Sequence, residues 1–250
     1  VCAVEVKMEI IGPNWPTVEL LREELAGVKG TIAWARTVKG VFGGSPRIWG
    51  TKQLERLRSA GLKDRGLVSL KVPEFTEDIE EAAEWAEKGR KVLGRRNSHM
   101  QGRDIVVAEV SDLQSTRKYK KWLMSDYWVV WVPSNAEWRI HVFDGLTIAR
   151  GMKVVRETKS AHEWIRTRRR GWVMVHNIEP PVGMRLVAKK AVEAVGYDWG
   201  AVDVLVQGSG GLKEFVVLEV NRAPGMKEGY TLEKYVEAFK KWSRQQQGGD

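Results

Sequence analysis

Apolar and polar residues alternate along this chain with two periods, and the switches between them mark its elements. "AVEVKMEII" (3–11) alternates every second residue, as a half-buried strand does. After the turn "GPNWP", the stretch "TVELLREELAG" places Val18, Leu21 and Leu25 at helical spacing and stops at Gly27. "TIAWAR" predicts another strand. "TKQLERLRSAG" predicts a helix capped by Thr51, buried through Leu54 and Leu57, and ended by Gly61. An extended "GLVSLKVPEFT" leads into "EDIEEAAEWAEKG", a helix whose acidic first turns suit the positive end of the macrodipole and whose Ile79, Ala82, Ala83 and Trp85 fall inward, with Gly89 at its end.

Further along, "KVLGRRNSHMQGRDIVVAEV" reads as strand, polar loop and strand, with arginines at the mouth of the loop. "YWVVWV" is a dense apolar strand, and "EWRIHVFDGLTIAR" is a hairpin whose Asp144-Gly145 suits a type I′ turn. In its first arm Glu137, Arg139 and His141 share one face, while Trp138, Ile140 and Val142 share the other. "SAHEWIRTRRRG" predicts a basic helix. "GMRLVAKKAVEAVG" predicts an amphipathic one with Met184, Val187, Ala188, Ala191 and Val195 in its stripe. The strands "AVDVLV" and "EFVVLEV" follow, joined by the flexible "QGSGGLK". In "TLEKYVEAFKKW", Leu232, Tyr235, Val236 and Phe239 recur at helical spacing, and the tail "SRQQQGGD" is expected to fray. Strands and helices mix without a regular βαβ winding, which predicts an α+β fold.

Composition narrows the chemistry. With 250 residues, 43% hydrophobic and 29% charged, the chain is of globular type. Charges interrupt every apolar run before the roughly 18–20 residues of a membrane span, and the first residues lack a secretory pattern, so a cytoplasmic protein with no membrane partner is expected. A net charge of +9 favours polyanions: nucleotide phosphates, nucleic acid or acidic protein segments. The basic runs "RKYKK" (117–121) and "RTRRRGW" (166–172) are either solvated faces or a nucleic-acid patch. The single cysteine, Cys2, excludes an internal disulfide and a cysteine-based zinc site, and the four histidines contain no i, i+4 pair, so any metal is held by oxygen. The twelve tryptophans are dispersed and fit core faces better than a stacking platform.

Oxygen ligands are concentrated in "VVLEVNRAPG" (216–225). Period two places Phe215, Val217 and Glu219 on one face, and Asn221 continues on that side; Asp203 belongs to the strand before it. Two carboxylates and an amide oxygen suit Mg²⁺, which takes a few protein oxygens and fills its shell with water and phosphate. The spacing equally admits carboxylates paired with Lys or Arg at sheet edges.

The segment "YDWGAVDVLV…FVVLEVNRAPG" resembles the metal-binding strands of the ATP-grasp family, in which an Asp and a Glu-x-Asn pair ahead of a Pro-Gly turn hold Mg²⁺ against the triphosphate. "TKQLERLRSAGL" with "VPEFTED", "KVLGRRNSHMQGRDIVV" and the Glu-x-Arg-x-His of "EWRIHVFDG" resemble, in the family's order, its lysine-bearing helix, phosphate-covering loop and central hairpin, over residues 45–240. The likeness is nearest to ATP-grasp proteins of phages and bacteria that join a carboxylate to an amine. It implies two α+β lobes gripping a nucleotide (51–128 and 129–250), preceded by a small α/β unit (1–50). It further implies Asp203, Glu219 and Asn221 as metal ligands, and Arg139 and Lys153 facing the γ-phosphate or an acylphosphate. Nucleotide would be held by Arg96 or Arg95, Lys52, Glu137, loop residues such as His99 and Gly102, and the backbone of Val130, Trp131 and Val132, which would bond adenine. ATP and Mg²⁺ are the implied cofactors, and small-molecule or peptide carboxylates and amines the implied substrates. His141 and His99 are the candidate proton acceptors. The loop departs from the family: "QGRDI" puts Arg103 and Asp104 where glycines are usual, which removes close backbone approach and adds a negative charge. A basic nucleic-acid-binding protein and a catalytically inactive ATP-grasp interaction module are the alternatives.

Overall fold

The computed structural model describes residues 8–63, 68, 70–97, 105–108, 120, 122–156, 164–167, 170–208, 213–226 and 229–248. Three sheets organise them. Strands β1 (Met8–Ile11) and β2 (Gly30–Ala33) pair in parallel, joined by α1 (Pro16–Glu24), which starts on Pro16 and gives way to Gly27 at φ 84°. An antiparallel sheet of four strands has the order β3-β6-β4-β5, built from β3 (Phe75–Thr76), β4 (Val92–Arg95), β5 (Val106–Ala108) and β6 (Tyr127–Val130). An antiparallel sheet of five has the order β11-β10-β7-β8-β9, from β7 (Ala136–Phe143), β8 (Leu146–Val155), β9 (Trp172–His176), β10 (Trp199–Gln207) and β11 (Glu214–Asn221). Helices α2 (Gly50–Lys63), α3 (Ile79–Glu87), α4 (Met184–Ala194) and α5 (Tyr230–Gln247) complete the described elements.

The five-stranded sheet has two unlike faces. One is apolar across three of its strands, β7, β10 and β11: Trp138, Ile140 and Val142 of β7, Val202, Val204 and Val206 of β10, and Phe215, Val217 and Val220 of β11 pack on the stripe Met184, Val187, Ala188, Ala191 and Val195 of α4. That stripe is the one its spacing predicts. The opposite face changes character along its length. At one end Phe143 and Trp199 stack with ring centroids 5.8 Å apart, beneath Tyr235 and Phe239 of α5 and beside Trp34. At the other end the same strands present Glu137, Arg139, Asp203 and Glu219. The β7–β8 turn holds Asp144 and Gly145 at φ 47° and 68°, the type I′ geometry expected of an Asp-Gly pair.

Several expectations are corrected. Thr51 lies inside α2, which begins at Gly50, and its hydroxyl bonds Glu77 instead of capping. Gly61 also lies within α2; a Cβ there would sit 2.0 Å from the Leu70 carbonyl, so the glycine serves a close approach, not a stop. In α3, capped by Asp78 accepting from the Glu80 amide at 2.8 Å, Ala82 is buried and Ile79 and Trp85 pack against its cluster as expected, but Ala86, which the predicted stripe left out, is buried with them. Trp164–Thr167 is not helical, and β9 is a strand that period-two reading passed over. Residues 243–247 of the tail expected to fray instead belong to α5, where buried Ser243 bonds the Lys29 carbonyl.

A bulge corrects the face assignment on β11. Asp203 pairs with Glu219, but its neighbour Val204 pairs with Val217, so Leu218 is the extra residue. Strict alternation would have carried Phe215, Val217 and Glu219 to one side. The bulge sends Phe215 and Val217 into the core and turns Glu219 to the face of Asp203.

Candidate active site

The polar patch is built row by row across the five-stranded sheet. Glu219 of β11, Asp203 of β10 and Arg139 of β7 are consecutive register partners, and Glu137 of β7 pairs with Lys153 of β8. Arg139 grips Asp203 with a two-pronged bond, Nε to Oδ1 and Nη2 to Oδ2, both 2.7 Å. Lys153 donates to Glu137 and lies 4.0 Å from Asp203. Arg95, the last residue of β4, crosses from the four-stranded sheet to donate to Glu219 Oε2 at 3.1 Å. Each carboxylate of this part-buried patch thus has a cation against it, where ionic bonds are strong but desolvation opposes charge. Asp203 raises the pKa of Arg139 further, against the burial that lowers it. Burial lifts Glu137 above the usual carboxylate range, with Lys153 opposing the shift. Burial also lowers the Arg95 pKa, but Tyr127 and Glu219 outweigh that effect.

Of the residues expected to hold metal, Asp203 and Glu219 face one another, and Asn221 shares the Glu219 side one pleat along, opposite Ala201. The Asn221 side-chain oxygen also accepts the Ala223 amide at 3.0 Å. Among the described residues no three His, Cys, Asp or Glu side chains form a metal cluster. A hard divalent ion that keeps its waters does not need three: each carboxylate oxygen has two lone pairs, and Arg139 and Arg95 leave acceptor capacity on both groups. The donor set therefore fits Mg²⁺. Of the two readings that the spacing left open, the pairing of these carboxylates with cations is the one seen directly, with arginines.

The remaining expected residues divide. Arg139, Lys153, Glu137 and Arg95 enter the patch, whereas Arg96 and Lys52 are exposed. The amides of Val130 and Trp131 donate to the carbonyls of Glu74 and Lys91, at 2.9 and 2.8 Å; Val132 makes no such bond among the described residues. His99, Gly102, Ser98, Arg103 and Asp104 lie outside the described residues. His141 is buried, its Nδ1 3.3 Å from the Tyr235 hydroxyl. Burial and the Arg139 charge push it down to about 3, so it does not accept a proton near neutral pH.

Sequence reasoning missed Gln53. Its side chain accepts the Val220 amide at 2.8 Å and donates to the Val220 carbonyl at 3.0 Å, completing the ladder of edge strand β11 between Glu219 and Asn221. An uncharged residue on the apolar side of a helix gives no pattern signal. It missed Arg222 as well, which is buried one residue beyond Asn221.

No family model matches the sequence, and no curated protein matches it. Solved structures do. PsnB, an ATP-grasp ligase, complexed with a minimal precursor, aligns at TM-score 0.62 and 15% identity over 88% of this chain and 92% of that one. PsnB with a phosphomimetic variant of the minimal precursor, Mg and ADP aligns at 0.56 and 18% over 77% and 58%. D-alanine–D-alanine ligase from Bacillus anthracis complexed with ATP aligns at 0.59 and 13% over 97% and 100%. This chain spans 58% and 66% of the PsnB chains in the complexes that contain Mg and ADP. The fold is the ATP-grasp fold, as the motif order implied.

Proposed function

We propose that the chain is an ATP-dependent ligase that activates a carboxylate as an acylphosphate and joins it to an amine, releasing ADP and phosphate. The observation that carries this reading is the charged patch Glu219–Asp203–Arg139 with Glu137–Lys153 on one face of the five-stranded sheet, met by Arg95 from the second sheet. PsnB was solved with a precursor peptide and AMPPNP, and with a minimal precursor, Mg and ADP, which supports a peptide carboxylate as substrate and Mg-ATP as its activator.

Asp203, Glu219 and Asn221 would hold the metal, with residues 51–128 and 129–250 as the two lobes about the nucleotide. When bound, Mg²⁺ supplies charge neutralisation to the phosphates. Arg139 and Lys153 are already fixed by carboxylates, so their donors need no reorganisation to meet a phosphoryl group, and fixed donors stabilise charge as it develops. Arg95 draws the second sheet to the same point, aligning groups that would otherwise meet by diffusion. With His141 neutral, the amine's proton leaves by another route.

The test is thermal denaturation with millimolar Mg-ADP, followed by phosphate release from ATP over a panel of acidic peptides and amino acids. Wild type should melt several degrees higher with Mg-ADP, by mass action. Glu219→Ala should lose most of that rise. An unchanged melting temperature in wild type refutes the reading.

A further inference from the structure

Among the described residues, two arginines beside the patch have no carboxylate partner. Arg222 is 7% exposed; one of its terminal nitrogens donates to the Ser45 carbonyl, its Nε is buried without a partner, and it makes no ion pair among the described residues. Arg47, exposed on the segment that precedes α2, makes none either; its guanidinium carbon lies over the Trp49 ring, 3.3 Å from the centroid. Arg222 bonds the segment two residues before Arg47, at Ser45, and Arg47 feels the charges of both Arg222 and Glu219. Arg139, Lys153 and Arg95, by contrast, each face a carboxylate.

We propose that Arg47 and Arg222 form an oxyanion-binding subsite beside Glu219, taking a carboxylate or phosphate group of a ligand. Two like charges brought together, one of them desolvated, cost free energy that packing alone does not return. A bound oxyanion removes that cost and takes charge-assisted bonds from both forks. The backbone is built to keep the pair there. The Gly43 amide donates to Asp198 Oδ2 at 2.7 Å and the Ile48 amide to the Tyr197 hydroxyl at 2.8 Å, which ties segment 43–49 to the residues just before β10, while Arg222 bonds Ser45 within it. Gly43, at φ 78°, could carry no side chain, since a Cβ would lie 1.6 Å from the Trp199 ring. Arg47 is the exposed entrance and Arg222 the buried floor. Assigning the oxyanion to a ligase substrate rests on the reading above; the subsite itself does not.

The experiment uses the full chain without nucleotide. Melting temperature is followed with sodium phosphate and, separately, sodium N-acetylglutamate, each against sodium chloride of equal ionic strength. At least one anion should stabilise wild type saturably, and the one that does identifies the source. Arg47→Met and Arg222→Met should each weaken that response about tenfold or more. Without anion, Arg222→Met should melt at or above wild type, because an uncompensated buried charge is gone. The proposal is overturned if neither anion acts beyond sodium chloride, if Arg47→Met responds as wild type does, or if Arg222→Met melts lower while its anion response persists. Nucleotide is absent throughout, so this result and the Mg-ADP response fail independently.

Discussion

His141 shows how one side chain can share a face with the reacting groups and still be excluded from proton transfer. Burial lowers its pKa first, Arg139 and His176 lower it further, and Asp203 opposes them. The folded-state value of about 3 lies below the ordinary 6.5, so as pH falls the unfolded chain takes up the proton before the folded one does. Its contribution to stability is therefore complete above pH 6.5 and is lost as the pH falls toward 3. His141→Gln keeps a polar partner for Tyr235 and should flatten the acid limb of unfolding free energy against pH by up to several kcal/mol. Urea unfolding at a series of pH values measures this, and an acid limb as steep as wild type refutes it. The sequence made the alternation of Glu137, Arg139 and His141 legible because a hairpin arm with period two has few alternatives. It did not reveal Arg222 or Arg47 as a pair, because segment 43–49 is held by its backbone groups bonding the side chains of Asp198, Tyr197 and Arg222, which leaves no periodic trace.

At the scale of elements, β11 is the sensitive piece. It is the outer strand of its sheet, an edge whose free amides and carbonyls need covering. Gln53 covers Val220 from α2, and the Lys71 carbonyl accepts the Val217 amide at 2.8 Å. Strand and helix types were readable from composition and period; the bulge at Leu218 was not, since nothing in "VVLEVN" distinguishes an extra residue from strict alternation. That single residue decides whether Glu219 faces Asp203 or the α4 core. Gln53→Leu removes both covering bonds and leaves two buried backbone groups unsatisfied beside the proposed metal ligands, at a cost of roughly 2–4 kcal/mol. Denaturant titration should place this variant well below Glu55→Ala, an exposed change on the same helix expected within about 0.5 kcal/mol of wild type. Equal midpoints for the two would show that Gln53 covers nothing of consequence.

For the whole molecule, the question is what sets the two larger sheets against each other. Helix α2 belongs to both cores: Leu54 packs with Tyr127 and Val129 of the four-stranded sheet, and Leu57 with the α4 face of the five-stranded one. Near it, Arg95 reaches Glu219 across 124 residues of chain. If Glu219 is also a metal ligand, Arg95 has two opposed effects: its charge competes with a bare cation for the carboxylate, yet it would help hold the phosphates of a nucleotide. Arg95→Met should therefore bind Mn²⁺ alone, standing in for Mg²⁺, more tightly than wild type, while its affinity for ADP with the metal falls about tenfold. Electron paramagnetic resonance of free Mn²⁺ gives the first quantity and calorimetry the second. A bridge that only holds the sheets together would move both affinities the same way. Opposite signs require that one carboxylate serve the link between sheets and the site in turn, so that occupying the site changes what joins the two halves of the fold.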